Sequence, residues 1–251
     1  MLELKNIRVV KNKKEILKNV TVSLKPHTLT VVIGKNGSGK STLLSCLTGE
    51  SKYQGTIHFD DKDLALMPKR QRAAYISFLP QSLPSVPITV ENLVAMGRTP
   101  YVDMGKNLSE KDEEQIEKAI ADTGIETIRH KKLTEISGGE KQRAYIAMVL
   151  AQNTRVIALD EPTTYMDIQF QKELRSLLTE LKEKHKKTLI TVMHDLSMAA
   201  EIADCIILLD EGRVVFSGEK EEVLQSGKIE STFNVKKYEI ELDGKRKVIF
   251  E

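Results

Sequence analysis

The β-branched run Thr30-Val31-Val32-Ile33 passes directly into Gly34-Lys35-Asn36-Gly37-Ser38-Gly39-Lys40-Ser41-Thr42. An apolar helical pattern (Leu43, Leu44, Leu47) then continues to Gly49. This strand, loop and helix with the spacing G-x-x-x-x-G-K-[ST] constrains the chain more than any other feature. The glycines let the backbone wrap with its N–H groups pointing inward, and the helix N-terminus adds partial positive charge at the same place. The stretch therefore reads as a phosphate cradle for a nucleotide. Lys40 supplies a full charge to the β- and γ-phosphates, and Ser41 offers a hydroxyl to Mg²⁺.

Runs at 156–159, 188–193 and 206–209 are apolar throughout, as strands buried on both faces of a parallel sheet are, with longer helical patterns between them. The expected fold class is α/β. Leu2, Leu4, Ile7, Ile16, Val20, Val22 and Leu24 instead suit antiparallel strands flanking that core. Between Gln81 and Ser137, prolines at 84, 87 and 100 precede an amphipathic segment at 109–123, which predicts a helical insertion. Runs at 238–242 and 245–250 around Asp243-Gly244 predict a terminal hairpin.

A length of 251 residues, 40% hydrophobic and 29% charged, supports one substantial core and excludes disordered and low-complexity classes. A net charge of +2 gives no global reason to expect nucleic acid as a partner, and the basic runs at 11–14, 184–187 and 245–247 read as solvated faces. Cys46 and Cys205 form neither a disulfide framework nor a zinc spacing, so a reducing cytosol is expected. The N-terminus lacks the apolar core of a signal peptide, and no apolar run reaches membrane-spanning length. Any membrane role is expected to come through another chain.

Three further positions carry chemistry. The run Val156-Ile157-Ala158-Leu159 delivers Asp160 and Glu161 at its carboxyl edge, where open α/β sheets bind ligands. Adjacent acids point to opposite sides, so Asp160 reads as the carboxylate that holds Mg²⁺, directly or through water, and Glu161 as the base or positioner of the attacking water. His194 ends another core strand, where its imidazole could touch the γ-phosphate. Ser137-Gly138-Gly139 before a helical pattern make a second anion-binding N-terminus, or a plain capped helix start.

With Leu79-Pro80-Gln81, Ser137 to Arg143, Asp160-Glu161-Pro162, Tyr165-Met166-Asp167 and His194 following the phosphate loop in order, the chain resembles the ATP-binding-cassette (ABC) ATPases over essentially its whole length. The resemblance implies a P-loop, RecA-like core with an antiparallel β-subdomain and an inserted helical subdomain. The single cassette divides into core at 1–85 and 155–225, signature subdomain at 86–154, and a tail with a hairpin at 226–251. It also implies ATP and Mg²⁺, bound by a head-to-tail homodimer that sandwiches ATP between one subunit's loop (Gly34 to Thr42) and the other's Ser137, Gly138 and Gly139. Gln81 would reach Mg²⁺ and the attacking water, completing a catalytic set of Lys40, Gln81, Glu161 and His194 and a metal set of Ser41, Gln81 and Asp160. Asp167 would communicate across the dimer. Three positions depart from the family: Lys11 stands where an aromatic usually stacks on adenine, and the signature carries Ile136 and Glu140 where Leu and Gln are frequent.

Tyr75 to Gln81, Val94 to Tyr101 and Thr163 to Ile168 resemble the ATPase subunits of ferric-siderophore, haem and cobalamin importers. This implies separate permease subunits, a substrate-binding protein reached through them, and a peripheral place on the cytoplasmic face of the membrane. The region 82–104 is expected to help form a groove for a permease helix. The alternatives are a soluble ABC ATPase acting on ribosomes or nucleic acid, and a cassette that binds ATP without efficient hydrolysis. The first usually carries two cassettes or a coiled-coil insertion, and the intact Glu161 and His194 argue against the second.

Overall fold

The computed structural model describes residues 1–251 apart from 104, 164–166 and 243. Met104, the aspartate-loop residues Tyr165 and Met166, and the turn residue Asp243 therefore lie outside the described residues. Strands β1 (Leu2–Lys11) and β2 (Lys14–Leu24) pair antiparallel about Asn12 and Lys13, both at positive φ, as a two-residue hairpin turn requires. Next come β3 (Leu29–Gly34), α1 (Lys40–Thr48), β4 (Gln54–Phe59), β5 (Lys62–Asp63), α2 (Lys69–Ala73) and β6 (Ile76–Leu79). The expected insertion follows as α3 (Val90–Met96), α4 (Glu110–Thr123) and α5 (Gly138–Ala151). The core resumes with β7 (Val156–Asp160), α6 (Ile168–Glu183), β8 (Thr188–Val192), α7 (Leu196–Ile202), β9 (Cys205–Asp210) and β10 (Arg213–Glu219). Helices α8 (Lys220–Gln225) and α9 (Lys228–Phe233) lead to the antiparallel hairpin of β11 (Lys237–Leu242) and β12 (Lys245–Phe250), as the turn signal predicts.

Two sheets result. One has the order β2-β1-β4-β5, the other β10-β9-β3-β8-β7-β6 with parallel pairing from β9 through β6. The apolar runs of the larger sheet divide residue by residue between two apolar layers. Leu29, Val31, Ile33, Ile157 and Leu159 face the helices, while Val32, Val156, Ala158, Ile190 and Val192 face α1 and the smaller sheet. Both layers exclude water, so a charged or strongly polar side chain along these strands is costly, and the chemistry is pushed to their ends. The phosphate loop, Gln81, Asp160-Glu161 and His194 all follow strands of this parallel set, at one edge of the sheet.

The insertion is held by an internal ion pair. Arg98, just past α3, donates from Nε to Asp112 Oδ1 (2.8 Å) and from Nη1 to the Ala151 carbonyl (2.7 Å), with both charged side chains about 90% buried. Ser109 caps α4, its Oγ accepting from Asp112 N–H while the Asp112 carboxylate accepts from Ser109 N–H. Hydrogen bonds from the Ser109 hydroxyl and N–H, then from Arg98, hold the Asp112 carboxyl down to about 2 against the effect of burial. A depressed carboxyl favours the fold above the ordinary carboxylate range, and this contribution disappears as pH falls toward 2. Arg98→Met would leave Asp112 charged and buried, and about 3 kcal/mol of stability should be lost in urea unfolding at pH 7. A loss below about 0.5 kcal/mol would show that the pair is not what joins α3, α4 and α5.

Candidate functional site

Helix α1 begins at Lys40 with Gly39 as its N-cap at φ 102° and no side-chain cap, so its first N–H groups stay directed at whatever occupies the loop. The left-handed backbone favours glycine at 39, and a Cβ there would stand 2.6 Å from Leu17 Cδ2 and 3.1 Å from the Ile16 carbonyl oxygen, so a larger residue would have to push β2 side chains aside. The loop is fastened from outside. Lys18 N–H donates to Gly212 O (2.8 Å), and Gly212 N–H donates to Ser38 O (3.1 Å), tying β2 and the β9–β10 turn to the phosphate cradle. Lys40 Nζ donates to the carbonyls of Gly34 (2.7 Å) and Lys35 (3.0 Å). Burial lowers the proton affinity of this ammonium, and the Glu161 and Asp160 carboxylates partly restore it.

A cavity of about 690 Å³ opens above the loop, walled by Asn36, Gly37, Gly39, Lys40, Ser41 and Thr42 on one side and by Gln81, Glu161 and His194 on another. Gly34, Lys35 and Ser38 lie behind that wall and shape it through the bonds just described. Ser41 Oγ donates to Asp160 Oδ1 (3.1 Å), and Asp160 is buried, which raises its carboxyl pKa against the lowering effect of the Ser41 bond. Glu161 turns the other way, with Oε1 2.6 Å from His194 Nε2. The two acids therefore meet different partners, as their adjacency predicts. Glu161 sits at φ 52°, a strained conformation for a residue with a Cβ and one that collects at functional sites.

Ser137 is the N-cap of α5. Its Oγ accepts from Glu140 N–H (3.3 Å) while Glu140 Oε2 accepts from Ser137 N–H (2.8 Å), so the glutamate that departs from the frequent glutamine closes a capping box. Hydrogen bonds to its carboxylate from the Ser137 N–H and then the Ser137 hydroxyl hold the Glu140 carboxyl below its ordinary range. Ser137, Gly138 and Gly139 border a second cavity of about 640 Å³, with Arg143, Asp167 and Phe170 on its walls. The fold thus assembles Lys40, Ser41, Gln81, Glu161 and His194 around one cavity, with Asp160 bonded to Ser41 beneath it, and leaves the signature turn on another. Asp167 caps α6 by accepting from Phe170 N–H (2.7 Å), and the Arg143 guanidinium stacks 3.9 Å from the Phe170 ring.

Sequence reasoning missed four contributors. Lys14 and Ile16 of β2 form the remaining wall of the first cavity, whereas Lys11, expected at the base-stacking position, is absent from its lining. Gly212 acts through backbone bonds alone. Gln142, buried on α5, donates from Nε2 to the Pro162 carbonyl (3.1 Å), joining the signature helix to the loop just after Glu161.

Comparison with known proteins decides what this architecture is. The sequence model of the ABC transporter family matches residues 17–164. This chain belongs to the ABC transporter family. A probable siderophore transport system ATP-binding protein, YusV of Bacillus subtilis (strain 168), is 38% identical over 88% of this chain and 81% of its own length. The ferric enterobactin transport ATP-binding protein FepC of Escherichia coli (strain K12) is 37% identical over 89% of this chain and 83% of its own. The dimeric post-hydrolysis structure of the cassette MJ0796, bound to ADP and Pi, superposes with TM-score 0.79 at 27% identity, covering 88% of this chain and 99% of that one. The fold is the P-loop ABC ATPase fold, and the chain is an ATP-binding, ATP-hydrolysing subunit. Among the described residues, no helix is long and apolar enough to cross a membrane.

In this ABC ATPase, Gly39→Ala should combine backbone strain with the Leu17 clash and cost about 1–3 kcal/mol. Urea unfolding together with titration of Mg·ATP reads both stability and affinity. Unchanged values in the two measurements would mean that β2 does not constrain the loop.

Proposed function

We propose that this chain energises import of a ferric siderophore through separate permease subunits, as one half of an ATP-sandwiching homodimer on the cytoplasmic face of the membrane. The observation that carries the reading is the pairing of Ser41 with Asp160 and of His194 with Glu161 beside the phosphate loop. The names of YusV and FepC, both siderophore-related transport proteins, support the substrate class and favour an importer over a ribosome- or nucleic-acid-directed ATPase. Haem and corrinoids belong to the same class of reading, and a substrate-binding protein would deliver the chelate to the permease.

The proposed mechanism starts from the internal bonds. Lys40 gives up the Gly34 and Lys35 carbonyls for the β- and γ-phosphates, while the free N–H groups of α1 and the loop take the remaining phosphate oxygens. Ser41, Asp160 and Gln81 present a hydroxyl, a carboxylate and an amide oxygen, a hard all-oxygen donor set that fits Mg²⁺. When bound, that ion would neutralise phosphate charge. Glu161 accepts a hydrogen bond from water and aligns it with the γ-phosphorus, and His194, held by Glu161, faces the γ-phosphate. The signature turn lies on a separate cavity, so it would meet nucleotide bound to a second copy. ATP then becomes the adhesive of the closed pair, and hydrolysis its release.

For the permease contact we favour the region 82–104. Met96 is 55% exposed and Tyr101 40%, too much for core residues of their size. The segment is pinned from α2, where Arg70 donates to the carbonyls of Pro100 (3.1 Å) and Val102 (2.8 Å) and Ala74 O accepts from the Tyr101 hydroxyl (3.3 Å).

Glu161→Gln should bind ATP normally and accumulate as a closed dimer on size exclusion while turnover falls by about 10²- to 10⁴-fold. Normal turnover by this variant would remove Glu161 from its role. Tyr101→Ala with Met96→Ala should weaken permease co-purification and leave Mg·ATP binding unchanged. Retained co-purification would place the contact elsewhere. The substrate class is read by purifying the chain with its permease and measuring whether ferric siderophore, haem or cobalamin stimulates ATP hydrolysis.

A further inference from the structure

We propose that Gln142 is a positioning residue for hydrolysis: through the Pro162 carbonyl it fixes the Glu161 carboxylate, and so ties the catalytic base to the helix that carries the chain's own signature turn. The proposal rests on the role of Glu161 given above and names what sets its place. Gln142 is 4% exposed, and its Nε2 donates to Pro162 O at 3.1 Å. A carbonyl only accepts, so this contact assigns the amide nitrogen to that side. Pro162 is buried as well, and breaking the bond would leave both groups unpaired out of water.

Covalent geometry carries the constraint to the neighbour. Between the Glu161 Cα and the Pro162 oxygen the peptide is planar and the ring locks φ, which leaves Glu161 ψ and Pro162 ψ as the only soft rotations. Glu161 has φ 52°, whereas a residue before proline favours extended backbone, so its conformation has to be imposed from outside. Pro162 has no N–H, and its carbonyl is the one backbone group by which it can be held. Arg143, the next residue of α5, grips the start of α6: its guanidinium lies 3.9 Å from the Phe170 ring centroid, and its Nη1 3.5 Å from Glu173 Oε2. Two adjacent side chains of α5 thus hold the chain just after β7 and the first turn of α6. The same helix begins at the Ser137 cap, beside the second cavity. The phosphate loop is fastened by other means, through Lys18 of β2 and Gly212 of the β9–β10 turn. Disturbing Gln142 should therefore change how fast the site hydrolyses and not how tightly it binds.

The test is a double-mutant cycle on the full chain between Glu161→Gln and Gln142→Met, which keeps the length of the side chain and removes the donor. Gln142→Met should lower kcat about 10- to 100-fold and leave KM for Mg·ATP within about twofold. In the Glu161→Gln background, where no base remains to be placed, the same change should lower the residual single-turnover rate less than about twofold. Rates are taken per bound Mg·ATP, so unfolded chain does not enter them. Gln142→Glu, which keeps the shape and turns an acceptor toward the carbonyl, should repeat the pattern. Equal proportional losses in both backgrounds would overturn the proposal, since a general structural effect is indifferent to Glu161. So would a kcat within about twofold of the unaltered chain, or failure of both Gln142 variants to bind Mg·ATP, which would make the bond a support of the fold. Normal turnover by Glu161→Gln alone would refute the role of Glu161 itself, a result read in the same cycle before Gln142 is changed.

Discussion

Burial of the parallel sheet on both faces is the constraint on which the rest depends. Val31 and Ile33 face the helical layer and Val32 the opposite one, and the same division holds along β7 and β8. Strands of this kind have no free polar side, so every group able to bind or react is displaced to a strand end. Because β3, β8, β7 and β6 run parallel and adjacent, their displaced groups meet at a single edge. The site is in this sense a by-product of apolar packing: the core does not touch the nucleotide, yet it decides that Ser41 reaches Asp160 and that Glu161 reaches His194.

The internal bonding of that edge carries an electrostatic logic. Lys40 is partly desolvated and rests on two carbonyls, contacts weaker than those a phosphate offers. Asp160 is buried deeply enough that its ionised form is disfavoured, and the Ser41 hydroxyl only partly compensates. Each charge is held in place without being fully satisfied. A polyanion bound with a counter-cation would relieve the positive and the negative member together.

How much of this was legible depended on whether the chemistry is contiguous in the chain. The phosphate loop, the strand-end acids and the signature turn are short runs whose spacing encodes their geometry, and the parallel core follows from apolar runs that have no solvated side. The antiparallel flank and the inserted helices followed likewise, from alternation and helical period. What stayed hidden is tertiary. Lys14 and Ile16 reach the cavity because β2 packs on Gly39, a contact that no contiguous motif encodes. Gly212 works through its backbone and has no side-chain signature. The capping role of Glu140 was present in the Ser-x-x-Glu spacing and is the physical reason a carboxylate substitutes there for an amide, since both accept from Ser137 N–H.

Glu161 is the point at which these elements must agree. A glutamate at positive φ persists only where its surroundings over-determine the conformation, because relaxation would otherwise recover of order 1–3 kcal/mol. Two fixed bonds supply that over-determination from different parts of the chain. His194 at the end of β8 takes the carboxylate, and Gln142 on the signature helix holds the carbonyl of the next residue, Pro162. The second bond is buried, so breaking it leaves an unpaired amide and carbonyl out of water. The position of the carboxylate is therefore set jointly by the sheet and by the inserted helices. A rotation of the insertion that stretched the Gln142 bond would act on the residue next to Glu161. The proline at 162 sharpens this dependence, since it has no N–H with which to replace a lost contact and its fixed φ leaves little freedom to absorb the shift.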